Sequence, residues 1–172
     1  LTSGQHSRGP TTFDEAGRTK PDLVVPLSEL SWATPVVSAA AALLLDAAYR
    51  DPALSNARCP QVVKALLLAG AIKEPFPDWD RTAVRPLDEI YGAGQMNIYN
   101  SYQVLAAGEQ NSSAVSLVQP MGWDYQAFIS ATSAWWFFQV PTNQVLTRLS
   151  AVLTWHRRID DGPNPGFDPV PF

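Results

Sequence analysis

The chain has 172 residues, 46% of them hydrophobic and 16% charged, with a formal net charge of -4. That length and apolar share suit one medium domain, or one domain and part of another, and exclude disorder throughout. No cluster of Lys and Arg interrupts the mild acidity, so neither nucleic acid nor an anionic membrane surface is expected as the main partner.

Residues 1 to 20 are rich in Gly, Ser, Thr and charge, and "SRGPT" places a turn at Gly9 and Pro10. "PDLVVP" follows as a short strand, Leu23 to Val25, closed at both ends by proline. Thr34 as N-cap and Pro35 as first helical residue then open an apolar helix. Its run from Val36 to Ala48 is too short to span a bilayer and is apolar nearly all round, which predicts a buried, central helix and no membrane-spanning segment. A second helix is predicted over Pro60 to Ala69, where Val62, Val63, Leu66, Leu67 and Ala69 recur at helical spacing before Gly70. "FPDWDRTAVRPLDEIYGAGQ" has the composition of a long ordered loop. Asn97 caps a third helix, Ile98 to Ala107, which Gly108 stops.

From Ala114 the pattern changes to β. "AVSLV", "YQAFIS", "WWFFQV" and "LTRLSAVLTW" are rich in β-branched and aromatic residues, and in the last Leu149, Ala151, Leu153 and Trp155 alternate with Arg148, Ser150, Val152 and Thr154. These runs predict an incomplete antiparallel, sandwich-like sheet over 111–172, entered through the polar "GEQNSS" and separate from a first domain over 1–110.

Several residues invite chemistry and fit a plainer role better. Cys59 is the single cysteine, so no intrachain disulfide forms, and a zinc site would need His6, His156 and scattered carboxylates. Gly92-Ala93-Gly94 lacks the third glycine and the strand-to-helix setting of a dinucleotide site, and is expected to be a tight turn. Asp78/Asp80 and Asp160/Asp161 offer oxygen ligands for a structural calcium, but loop aspartates more often face water or make Asx-turns, so no cofactor or metal is assigned. Trp135, Trp136, Phe137 and Phe138 resemble a carbohydrate-stacking platform. Successive strand residues point to opposite faces, so half of them are expected in the core and half toward a partner or an adjoining domain. His156 with Asp160 or Asp161 completes a triad with Ser31 only if the β region folds back over the helix start, and Arg157 and Arg158 suggest a solvated strand exit instead.

Ser31 belongs to a larger pattern. "SWATP" leading into "VVSAAAALLL" resembles the serine motif of the subtilisin-like proteases (subtilases, peptidase S8 family). "SRGPT" and "GRTKPDLVVP" upstream look like that family's Ser-x-Gly-Pro turn and Lys-Pro-Asp-hydrophobic-Pro strand. Downstream, "VVKALLLAGA" and "YGAGQMNIYNSYQVLAAG" are similar to its later helices, all in the family's order over residues 7 to about 108. The resemblance implies a partial doubly wound α/β domain with a mostly parallel sheet, and a serine endopeptidase of protein or peptide substrates with Ser31 as nucleophile. The chemistry suits the place: a serine at a helix start has the positive end of the macrodipole and free N–H groups beside it for a developing oxyanion. Secretion or display at the cell surface is likewise implied by the family alone.

In that family an aspartate, a His-Gly-Thr histidine and an oxyanion asparagine precede the serine, and none has a counterpart here. The chain starts at Leu1 rather than Met, which gives the expectation of a preceding portion and of a fragment inactive by itself. Two departures bear on activity. Glu29-Leu30 stands where the family has Gly-Thr, and only Leu27 to Leu30 separate Pro26 from Ser31, a shorter loop than usual. The alternative is a non-catalytic pseudoprotease or surface binding protein on the same scaffold, with Ser31 merely starting a helix.

Overall fold

The structure is a computed structural model of the chain, in which the described residues are 20–80, 87–127 and 133–155, together with the backbone of 159–160 and 168–169. The turn "SRGPT", His6, His156, Arg157, Arg158 and Asp161 lie outside them.

Glu29 is the last extended residue (φ -131°, ψ 141°) before α1, Leu30–Arg50. The helix therefore starts five residues earlier than Thr34 and Pro35 suggest. Thr34 does not cap it: its hydroxyl donates back to the Leu30 carbonyl at 2.9 Å, a bond made within the helix. Pro35 sits inside the second turn, where it has no N–H to give the Ser31 carbonyl. Nor is α1 central. Ala40, Leu44 and Ala48, four residues apart, form its buried stripe, while Trp32 (66% exposed), Leu43 (62%) and Tyr49 (67%) face outward. At 21 residues α1 is long and apolar enough to cross a membrane by length and composition, a property that core helices of soluble proteins share.

A 3-10 helix, Pro52–Arg58, broken at Leu54, turns the chain back along α1. Arg58 closes this corner by donating through Nε and Nη2 to the Ala48 carbonyl, 3.2 Å each, with its guanidinium 4.6 Å from the Tyr49 ring centre. Helix α2, Pro60–Ala69, has the bounds expected from Pro60 and Gly70. Helix α3, Ile98–Ala106, begins at Asn97, whose side chain accepts from the Asn100 N–H at 3.0 Å. α2 and α3 pack so closely that a Cβ on Gly70 would lie 2.3 Å from the Ser101 hydroxyl and 2.5 Å from its backbone nitrogen. Leu44, Leu66 and Leu105 fill the centre, and Trp123 joins them by donating its indole N–H to the Leu105 carbonyl at 3.1 Å. The Leu105 carbonyl thus takes two donors at the end of α3, the indole and the Gly108 N–H at 3.0 Å.

The expected doubly wound parallel sheet and antiparallel β-sandwich are not found: the described residues are helical and hold no such sheet. Among the described residues, isolated bridges join Val24 with Gln95, Ile72 with Gln95, Asp88 with Gly92, Glu109 with Trp123 and Leu117 with Phe137. The one strand pair among the described residues is two residues long, β1 (Ile159–Asp160) antiparallel to β2 (Asp168–Pro169). Physically, β propensity expresses packing against neighbouring strands, and a run such as 145–155 has no ladder to join among the described residues. Leu149 (60%) and Leu153 (77%) are accordingly exposed, and the alternation does not sort them from their neighbours. Trp135, Trp136 and Phe137 are exposed as well, so the expected core half of that run is absent and Phe138 is only half-buried.

Candidate functional site

Ser31 is the second residue of α1 and exposed. The Glu29 carbonyl already takes the N–H groups of Trp32 (3.1 Å) and Ala33 (3.0 Å). The N–H groups of Leu30 and Ser31 make no bond to another described residue, as the geometry of a helix start requires. A hydroxyl and two open donors thus stand together where the helix dipole favours negative charge. Glu29 supplies the N-cap backbone without a side-chain cap; its carboxylate instead accepts from the Trp32 indole N–H at 3.2 Å.

Stretches that accompany Ser31 in the sequence pattern meet one another. Val24 donates to the Gly94 carbonyl at 3.0 Å and accepts from Met96 at 2.8 Å, and the Ala93 N–H reaches the Asp22 carbonyl at 2.9 Å. Gly92-Ala93-Gly94 is the tight turn its composition suggests. At Gly94 φ is +121° and a Cβ would stand 2.3 Å from the Ile72 carbonyl oxygen, so the chain passes too close for any other residue.

Asp22 anchors this corner. Lys20 and Lys64 both pair with it, Lys64 at 3.0 Å. Burial alone would raise its carboxyl, but the hydrogen bonds and charges of the two lysines outweigh that and hold it below the usual carboxylate range.

Of the other residues singled out by sequence, Asp78 and Asp80 lie in the loop before residue 81. The Asp80 N–H donates to Asp88 Oδ2 at 2.9 Å. Asp88, which no motif pointed to, is buried and accepts from Ile90 (2.7 Å) and Tyr91 (2.8 Å) through Oδ1, an Asx-type turn legible only as an aspartate two residues ahead of the chain reversal. Tyr91 stacks on Phe76 at 4.0 Å, and its hydroxyl is pushed up by burial first, then by Asp78 and Asp88. Among the described residues no group of three or more His, Cys, Asp or Glu side chains is placed to hold a metal ion. Cys59 is half-buried at the start of α2; its hydrogen bond and charge raise the Tyr125 phenol above its ordinary value. Asp160 is placed by backbone alone, in β1. Neither histidine is among the described residues, so Ser31 stands with no described general base.

On the far side, Trp136 is tied by its indole N–H to the Gln110 carbonyl (2.9 Å) and Asp124 Oδ2 (3.0 Å). Trp135 and Phe137 lie with ring centres 6.4 Å apart and planes 5° from parallel. Neither a family model, nor a curated protein, nor a solved structure matches the chain.

Proposed function

We propose that the chain is the serine-bearing part of a subtilisin-like serine endopeptidase, acting on protein or peptide substrates, with Ser31 as nucleophile. The observation that carries the reading is a Ser-x-Ala-Thr-Pro serine exposed on the first turn of a long apolar helix, beside two unbonded N–H groups. Four sequence stretches in the family's order support it.

The Ser31 hydroxyl attacks the scissile carbonyl, and the oxyanion that forms is held by the open donors of the helix start. A histidine must take the serine proton and return it to the leaving amine, an aspartate must orient that histidine, and an asparagine must complete the oxyanion site. The proposal places all three in sequence outside these 172 residues, since neither His6 nor His156 stands in a His-Gly motif. Without them the rate falls by on the order of 10⁴ to 10⁶. Export to the outside of the cell is part of the same proposal.

One observation favours a non-catalytic binding protein: Glu29 puts a carboxylate, where the pattern has glycine, beside a site that must stabilise negative charge. A fluorophosphonate probe on the full-length protein separates the two. Labelling that vanishes in Ser31→Ala supports the nucleophile; a folded protein that stays unlabelled overturns it.

A further inference from the structure

We infer that Glu29 and Trp32 form a cation-recognising pair beside Ser31, and that the preferred substrate carries a lysine or arginine next to the scissile bond. This deepens the nucleophile reading of Ser31 and rests on it. Three residues apart at the helix start, the two side chains share one side of α1, and the indole N–H donates to the carboxylate at 3.2 Å. That bond occupies one lone pair of one oxygen and leaves the other oxygen, and the 66%-exposed indole ring, facing solvent.

A carboxylate joined to an exposed aromatic ring offers a cation both charge and a π-face. Two other aromatic rings of the chain hold a cation, Tyr49 with Arg58 at 4.6 Å and Trp79 with Lys73 at 4.9 Å. Among the described residues the ion pairs are Lys20 and Lys64 with Asp22, and Arg50 with Asp46, so Glu29 has no cation of its own. Side chains of a first turn tilt toward the helix N-terminus, so Ser31 and the pair open onto the same end of α1. The pair lies round the helix from Ser31, which favours a long cationic side chain over a short one. Since the Glu29 side chain makes no cap bond, replacing it changes the surface and leaves the helix start intact.

The test uses the full-length protein and matched fluorogenic peptides differing only in Lys, Arg, Gln, Leu or Glu beside the scissile bond. Lysine and arginine peptides are expected to give the higher kcat/KM. Glu29→Gln is expected to lower the basic-to-neutral ratio roughly 1.5- to fivefold, and Trp32→Ala about two- to fivefold, the size of exposed ion-pair and cation–π contributions. Glu29→Lys should turn the preference toward acidic peptides, and added salt should shrink the wild-type ratio. A ratio unmoved by Glu29→Gln and Glu29→Lys in a protein whose Ser31 is labelled by the fluorophosphonate overturns this inference alone. A folded wild-type protein without labelling overturns the nucleophile reading and this inference with it.

Discussion

The helical unit and the extended chain that follows it solve the same problem with opposite success. Leu44, Leu66 and Leu105 keep 2%, 0% and 0% of their surface, whereas Leu149, Leu153 and Trp155 keep 60%, 77% and 63%. A helix satisfies its own backbone and needs one apolar face against it, and α1, α2 and α3 supply that to each other. A strand satisfies its backbone only through a neighbour, so an isolated apolar run stays exposed however regular its alternation. Bonds between the regions among the described residues include Trp123 on the end of α3, Thr154 donating to the Gln61 carbonyl at 2.7 Å, and Asn56 donating to Glu109 at 2.9 Å.

The contrast is sharpest at single leucines. Leu66→Ala is expected to cost about 2–5 kcal/mol in denaturant unfolding, by lost burial and the cavity left behind. Leu153→Ala is expected to stay within about 0.5 kcal/mol, as for other exposed positions. A Leu153→Ala loss as large as that of Leu66→Ala would break the comparison, because it would mean that the extended chain is packed in solution. A smaller effect is expected at the junction. Trp123→Phe keeps an aromatic ring and removes the indole bond, leaving the Leu105 carbonyl with the Gly108 N–H alone, for a loss of about 0.5–1.5 kcal/mol; an unchanged midpoint would mean that the segment around Trp123 does not dock on α3.

A further small effect belongs to the charged corner at Asp22. Its carboxyl is lower in the folded chain than in the unfolded one, so the unfolded state binds the proton first as pH falls. Its contribution is full above the ordinary carboxylate range and is lost as pH drops through the lowered folded value. Because the group is about a third exposed, solvent screening keeps this to at most about 1 kcal/mol. Asp22→Asn should flatten stability against pH in that acid window, and an unaltered slope would remove Asp22 from the corner's energetics.

Where signals were local, sequence and structure agree. Pro60 and Gly70 bracket α2, Asn97 caps α3, and Gly92-Ala93-Gly94 makes its turn. α1 was legible as a helix but not in its start, because a Thr-Pro pair is a start signal only when nothing upstream is helical, and here Glu29 provides the extended residue first. Placing that start at Leu30 would have exposed the three-residue spacing of Glu29 and Trp32, the part of the candidate site that sequence reasoning missed.

By itself the sequence determined the three α-helical stretches, the bounds of α2, and that Ser31 leads a long apolar run, since each follows from side chains within a turn or two of one another, whereas the 3-10 helix Pro52–Arg58 was not legible there. Only the tertiary structure decided that α1 buries one stripe rather than its whole circumference, that the β-rich stretches form bridges instead of a sheet, and that Asp22 holds two lysines. Those outcomes depend on which distant residues come to lie alongside, and no local periodicity carries that information.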